Sequence, residues 1–445
     1  MSSSTNSQTP SSSPRKPIVA IVGTGWAGWT IAQKLSASKH KVVVISPSRT
    51  LALTPLLASA ACGLFDFRMA EEPVRRRNQE ITKYQANVSS ISLESRRITC
   101  TPAIGEEARD DFEVVYDQLI LCPGSETNTF GTPGVLENTL QLKTVKDAQK
   151  LREDVLDSFE LASLPHLSLQ EKKDALHFAI VGGGPTGVEL AAEISDLVTE
   201  HLATIYPHCA ELFHISVYDI ADKILSSFDE KLSEYAMDQF HRRGVDVCMN
   251  TEIEKITPHK IHTKDHPKGI PFGNCIWAVG NKGIPLLENL NEVKKPEKGL
   301  QRVLTDGHLR ALKPSKAKPE DGKFGNDQGA WENVYVLGDA GDVEGSSLPM
   351  TAEVALQKAK WLVEFLNTGK PDVAEFKYED KAVVAYIGNQ DGVVTDSDSK
   401  DWTGASAWFA WRSGNLEWSR SWRRKTSIWV YWVLNYIDGR ELARR

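Results

Sequence analysis

Six glycines carry the first chemical signal in this chain. Gly23, Gly25 and Gly28 stand in a Gly-x-Gly-x-x-Gly spacing, and Gly182, Gly184 and Gly187 repeat it 159 residues downstream. The first glycine of such a set makes a tight turn, the second lets the backbone approach a pyrophosphate, and the third lets a helix pack on its strand. The phosphates then meet the free N–H groups and positive dipole end of that helix. One copy is weak, because glycine-rich turns are common; two copies point to two nucleotide-binding folds. Carboxylates supply the second signal. Asp219 lies 32 residues after Gly187, farther than the usual spacing, with room for a long helix and loop between them. There it can accept a bond from a ribose 2′-hydroxyl and repel a 2′-phosphate, which favours NADH over NADPH. At the equivalent place after the first copy stands Ser46, followed by Pro47, so a shorter hydroxyl has that work. Glu189, two residues after Gly187, reads either as an acid stabilised by the first turn of its helix or as a carboxylate that relays protons or positions a nicotinamide. Asp339 reads as a ribityl-binding acid or as a turn Asp.

The elements that must position these residues follow from hydrophobic patterning. Ile18–Val22 is an apolar strand ahead of the first glycine turn, and Trp29–Leu35 reads as its helix. Lys41–Ile45 reads as a second parallel strand. Residues 88–115 alternate apolar and polar, as in a small antiparallel ribbon. Gln118–Leu121 is a buried strand closed by Cys122-Pro123-Gly124. Phe178–Val181 precedes the second glycine turn, with a helix through Ile194 and a further strand His214–Tyr218. A strand ends at Trp277-Ala278-Val279-Gly280, and another, Asn333–Leu337, leads into Gly338-Asp339-Ala340. The run Thr351–Leu366 reads as a helix whose positive end faces a flavin edge, where it stabilises the reduced ring.

Composition narrows the class. At 445 residues, 41% hydrophobic and 25% charged, the chain fits a soluble protein of two or three domains. A net charge of −7 argues against nucleic-acid binding. Its six cysteines form no Cys-x-x-Cys pair, which argues against a zinc ribbon, a catalytic dithiol or a disulfide framework, and no metal site is expected. Cys122 reads as a small buried hydrophobe. Two nucleotide folds without a dithiol suggest a flavin on one and a nicotinamide on the other. Residues 1–16 are Ser-rich and acid-free, and read as a disordered leader; a cleaved targeting signal is the alternative. Residues 314–328 read as a solvated loop.

The chain resembles the type II (alternative, rotenone-insensitive) NADH:quinone oxidoreductases, the fungal mitochondrial branch especially. IVGTGWAG with Ser46-Pro47 and Thr54-Pro55-Leu56-Leu57 is similar to that family's flavin segment. Asn128–Val135 and Leu142-Lys143 are similar to its next block, and VGGGPTGVELAAE with Ser227-Phe228-Asp229 to its NADH domain. VLGDAG and Leu348–Ala352 resemble its flavin-and-quinone segment. The resemblance implies an α/β fold with two Rossmann-like domains, as in two-dinucleotide-binding-domain flavoproteins, plus a C-terminal amphipathic segment on a membrane. It implies a hydride passed from NADH to FAD and two electrons passed on to a ubiquinone, without proton pumping. Catalytic roles then fall to Glu189, to Gln357, which matches the second glutamine of the family's quinone helix, and to Glu353, where the family carries the first. The cofactor contacts so implied are Gly23, Gly25, Gly28, Ser46, Thr54, Pro55, Gly124, Asp339, Ala340 and Thr351 for FAD, and Gly182, Gly184, Gly187, Asp219 and Gly280 for NADH. Glu353 turns a quinone-mouth amide into a carboxylate, an acceptor only when ionised, and leaves the electron acceptor open. A soluble reductase like apoptosis-inducing factor or ferredoxin reductase, and an NADH-responsive scaffold without activity, are the competing readings.

The last 44 residues hold seven of the twelve tryptophans, and from Trp402 onward eight basic residues face three acids. Trp418, Trp422, Trp429, Trp432, Val433 and Tyr436 fall on one helical stripe, with Arg420, Arg423 and Arg424 opposite and Lys425 breaking the pattern near the stripe. Such a helix docks on a membrane surface, packs on its own domain or forms a dimer interface. The expected organisation is a leader (1–16), an FAD domain (17–150 and 291–370), an NADH domain (151–290) and a membrane-anchoring, quinone-site segment (371–445). A mitochondrial inner-membrane location with peripheral contact is implied by the resemblance, with the cytosol as alternative and a homodimer left open.

Overall fold

The computed structural model describes residues 15–75, 80–105, 109–314, 329–369, 373–395, 401–440 and 442. Most of the Ser-rich leader and nearly all of the 314–328 loop lie outside these residues. The chain divides into two compact units, each discontinuous in sequence: residues 1–49, 74–125 and 283–378 form one, and residues 50–73, 126–282 and 379–445 the other.

The first unit is built on an eight-stranded sheet. Its order is Gly341–Val343, Val303–Thr305, Arg310–Leu312, Ala330–Val336, Gln118–Leu121, Ile18–Val22, Lys41–Ile45 and Ile81–Tyr84. The last five strands run parallel, and the near-continuous apolar runs of Gln118–Leu121, Ile18–Val22 and Lys41–Ile45 reflect burial on both faces. Ile18–Val22 sits centrally, its residues from Val19 onward almost fully buried, so the glycine turn that follows leaves the middle of the sheet. The helix after that turn is Trp26–Lys34, three residues earlier than the apolar pattern suggests, because Gly25 is its N-cap and the helix emerges directly from the turn. The ribbon expected over 88–115 is a three-stranded antiparallel sheet, Ala86–Ser92, Arg97–Pro102 and Phe112–Val115. The expected helix near 351–366 is Ala352–Thr368. Thr351 caps its start by accepting the Val354 N–H at 3.3 Å, and Gly369 ends it in the left-handed conformation.

The second unit is built on a four-stranded parallel sheet in the order Val245–Cys248, His214–Tyr218, His177–Val181 and Asn274–Trp277. The helix Pro185–Leu197 leaves its glycine turn with Pro185 at the first helical position, where a missing N–H costs nothing. It runs on through a π-helical turn, Val198–Leu202, and short helices Ala203–Ile205 and Pro207–Ala210. That insertion is the physical source of the long spacing between Gly187 and Asp219. The C-terminal part of this unit is a three-stranded antiparallel sheet, Val383–Gly388, Asp391–Thr395 and Trp402–Thr403, followed by two helices, Ala405–Trp418 and Trp422–Asp438.

The aromatic stripe departs from expectation here. The chain breaks at Ser419-Arg420-Ser421, so Trp418 ends one helix and Trp422 starts the next. On the second helix, Trp422, Trp429, Val430, Val433, Leu434, Tyr436 and Ile437 face outward, with Trp422 80% and Tyr436 92% exposed. Trp432 is half-buried on the inner side, beneath the Arg412 guanidinium at 4.5 Å. Arg424 also points inward, bonding Glu72 at 2.9 Å and the Arg68 carbonyl at 3.2 Å. The fully buried Glu72 carboxylate recruits that cation, because a buried charge is costly unless paired. Arg424 therefore lies off the outer face, as its place opposite the rings implies, while Arg423 and Lys425 are exposed on this helix.

Candidate functional site

In the first unit the glycine turn has the shape of a phosphate cradle. Gly23 adopts φ +102°, and a side-chain carbon there would meet the Cys122 carbonyl oxygen at 2.3 Å. Gly28 has no room either: its added carbon would lie 2.1 Å from the Gly23 carbonyl oxygen and 2.8 Å from Cys122 Sγ. The space above Gly25 is open, with nothing within 4 Å. The helix it caps has no side-chain cap and no acid in its first turn, so its positive dipole end suits an outside anion. Ser46 is buried at the end of Lys41–Ile45; its Oγ pairs with Thr24 Oγ1 at 2.8 Å and accepts the Ser48 N–H at 3.2 Å. Gly124, at φ +82°, opens onto free space.

Asp339 and Ala340 lie on a 3₁₀ turn, Gly338–Ala340, between Ala330–Val336 and Gly341–Val343. Ser125 Oγ donates to Asp339 Oδ2 at 2.7 Å, and Oδ1 has no hydrogen-bond partner among the described residues. A half-buried acid with one oxygen held and one unbonded among the described residues suits a ligand hydroxyl, and its place on this turn fits the turn-Asp alternative as well. Farther along the same unit, Gln357 Nε2 donates to Glu353 Oε1 at 2.8 Å, one helical turn apart on Ala352–Thr368. An FAD fits these residues: an open cradle at Gly25, a helix N-terminus without a side-chain cap or a first-turn acid, and an acid with one oxygen unbonded among the described residues.

In the second unit Gly182, Gly184 and Gly187 repeat the geometry. An added carbon on Gly187 would meet the Gly182 carbonyl oxygen at 1.9 Å, while Gly184 is open. Asp219 stands beside this turn, Oδ2 accepting the Gly183 N–H at 2.6 Å and Oδ1 the Ala221 N–H at 2.9 Å. It thus braces the turn as well as facing it. Gly280 has a packing reason of its own, since a side chain there would strike the Phe130 ring at 2.6 Å. Thr54 and Pro55 belong to this second unit, on the turn Thr54–Leu56, and not to the unit that carries the first glycine turn.

Glu189 lies in the second turn of Pro185–Leu197, not the first, so the helix-dipole explanation for an acid there falls away. Its Oε1 accepts Trp411 Nε1–H at 3.1 Å, and the Trp411 ring stacks on Tyr386 at 4.5 Å. Burial pushes the Glu189 carboxyl up to about 8, against the Tyr386 backbone and Trp411 bonds that favour the charged form. One turn on, the buried Glu193 accepts Ser59 Oγ–H at 2.7 Å and lies 3.7 Å from Arg440, and burial raises it to about 7. Asp196 follows, bonded by Arg243 and Tyr386 and accepting the Asn389 N–H at 3.1 Å. Three acids thus occupy one face of a single helix. Glu193, Asp196, Trp411 and Tyr386 were not singled out by sequence reasoning; the spacing 189, 193, 196 within one helix was the available signal.

Residues 17–359 match the pyridine nucleotide-disulphide oxidoreductase family. The chain is 33% identical over 432 residues to a probable NADH dehydrogenase of Dictyostelium discoideum, covering 95% of this chain and 90% of that one. It is 35% identical over 353 residues to the mitochondrial external alternative NAD(P)H-ubiquinone oxidoreductase B2 of Arabidopsis thaliana, across 78% of this chain but 58% of the plant protein's length. The structure is similar to that of NDH2 from Plasmodium falciparum in complex with NADH, with a TM-score of 0.85 at 22% identity over 96% of this chain and 100% of the other. With two glycine cradles on two parallel sheets and these relatives along nearly its whole length, the chain belongs to the pyridine nucleotide-disulphide oxidoreductase family and, within it, to the type II (alternative) NADH dehydrogenases.

Proposed function

We propose that this chain is an NADH:ubiquinone oxidoreductase of the non-pumping type, with FAD on the first unit and NADH on the second. The observation that carries the reading is the pair of open cradles with unlike neighbours: Ser46 beside the first, Asp219 beside the second. Bound FAD supplies the two-electron chemistry that links NADH to a quinone. The chain's own groups do the rest. The N–H groups that follow Gly25 and Gly184 hold pyrophosphates. Asp339 Oδ1 accepts from a ribityl hydroxyl, and Asp219 repels a 2′-phosphate. Glu189, whose proton leaves only at about 8, is neutral at pH 7 and can donate at a nicotinamide or release a proton. Glu353 fixes the Gln357 amide on the helix Ala352–Thr368, where that pair meets the quinone.

The outward face of Trp422–Asp438 is the surface for peripheral membrane contact; no described helix is long and apolar enough to cross a membrane. Aromatic rings at the headgroup level and an aliphatic patch suit such contact. The plant relatives' names support a mitochondrial place for the chain; the inner membrane is the surface we propose for the aromatic face.

Steady-state turnover of the purified yellow protein with NADH and a short-chain ubiquinone, with and without liposomes, tests the reading. NADH oxidation that depends on ubiquinone and rises with liposomes is expected. A colourless protein that takes up no FAD overturns it, and reduction of ferricyanide or ferredoxin without any ubiquinone turnover replaces the quinone with another acceptor.

A further inference from the structure

Behind the Asp339 turn lies a buried cluster of charge that the proposed chemistry does not use. Arg302, immediately before the strand Val303–Thr305, is almost fully buried. Its Nη1 donates to Asp342 Oδ2 and to the Leu348 carbonyl, each at 2.9 Å. Nη2 donates to the Gly341 carbonyl at 2.8 Å, and Nε to the carbonyl of Asp339 itself at 3.2 Å. Lys358, on the helix Ala352–Thr368, is fully buried, and its Nζ adds a second bond to the Gly341 carbonyl at 3.1 Å. Two cations from two separate elements thus hold the turn on both sides of Ala340: Arg302 bonds Asp339, Gly341, Asp342 and, at 3.4 Å, the Gly338 carbonyl, and Lys358 bonds Gly341. The parallel pairing of Val303 with Gly341 fixes where Arg302 stands.

Burying two cations is expensive. Burial draws the Lys358 ammonium down to about 8, even with Asp342 and Asp339 nearby. A chain that needed only a tight turn would use glycine and a backbone bond. Here the turn already has Gly338 at φ +66°, and the cations do something further: they fix the peptide that carries the Asp339 carboxylate, whose Oδ1 makes no hydrogen bond among the described residues. Arginine's planar fork suits this work, because it meets several carbonyls at fixed angles at once.

We propose that Arg302 and Lys358 are positioning residues that set Asp339 for the ribityl chain and so decide how tightly FAD is held, while the glycine turn holds the adenosine diphosphate half independently. This rests on the flavin reading above. The test uses the full chain, purified with its flavin, and compares FAD affinity, read from flavin fluorescence after dialysis, with ADP affinity, read from competition against FAD. Arg302→Lys keeps the charge but loses the fork, and Lys358→Met keeps the volume but loses the bond. Each is expected to weaken FAD roughly tenfold to a hundredfold, as loss of a bond from a charged group implies, and to leave ADP within about twofold. Added to Asp339→Asn, neither should cost anything more. Unchanged FAD affinity in both variants overturns the proposal; so does an equal loss of FAD and ADP, which marks a merely structural role. Should Arg302→Lys fail to fold, Lys358→Met carries the same expectation alone. A wild-type chain that binds no FAD sinks the functional reading instead, which keeps the two failures apart.

Discussion

Glu189→Gln should make the protein more stable in mild alkali than the wild type, and the size of the gain follows from burial. In the folded chain the Glu189 carboxyl keeps its proton up to about 8, where an ordinary glutamate loses it near 4.5. Between those values the folded state holds a proton that the unfolded chain has released. Stability therefore falls as pH rises through that window, and the full cost persists above 8. At about 1.4 kcal/mol for each pH unit of difference, the cost is on the order of a few kcal/mol, or several degrees in melting temperature for a domain of this size. Glutamine fills the same space, can accept the Trp411 Nε1–H bond and cannot ionise. Thermal unfolding of the holoprotein, followed by circular dichroism from pH 5 to 9, checks this. The two melting curves should lie closest near pH 5, separate progressively as the pH rises toward 8 with the variant higher, and keep a constant gap above it. Glu193, raised to about 7, is coupled to Glu189, so the same comparison is repeated in a Glu193→Gln background to isolate the Glu189 contribution. Parallel curves across the whole range would falsify the claim that Glu189 is held protonated.

Trp411→Phe removes the indole N–H that favours the charged carboxylate, so the same titration should move upward by about one to two pH units; an unmoved midpoint means the 3.1 Å bond is not formed in solution. Asp219→Asn removes the charge that repels a 2′-phosphate while still offering an oxygen to Gly183 N–H, and the NADH-over-NADPH ratio of kcat/KM should drop by roughly tenfold or more. An unchanged ratio places selectivity elsewhere. Glu353→Gln restores an amide next to Gln357 and should raise kcat with a short-chain ubiquinone; no change makes the carboxylate incidental. Trp422→Ser combined with Trp429→Ser strips two large rings from the outward face and should weaken binding to anionic vesicles by roughly a hundredfold or more, whereas undiminished sedimentation with vesicles moves the membrane contact to another surface.

How much of this was legible in the sequence depended on how local each feature is. Both glycine turns, their strands and the strand-end acids were legible because each occupies one short stretch whose backbone demands leave few alternatives: Gly23 at φ +102° and Gly28 against Cys122 tolerate no side chain. The helix start at Trp26 was missed because apolar periodicity sees faces and not caps. The surroundings of Glu189 were illegible for a different reason. Its partner Trp411 is 222 residues away, and nothing in the spacing of the C-terminal tryptophans distinguishes the one that bonds a buried acid from those that face outward. Periodicity likewise put Arg424 opposite the rings correctly but could not say which side was the protein. Glu72, more than 350 positions earlier in the chain, decides that: a buried carboxylate takes the arginine inward and turns the tryptophans out. The same logic governs Arg302, which no motif or periodicity in the sequence singles out. Its meaning comes only from the register that sets Val303 beside Gly341 and so brings its guanidinium to one buried turn.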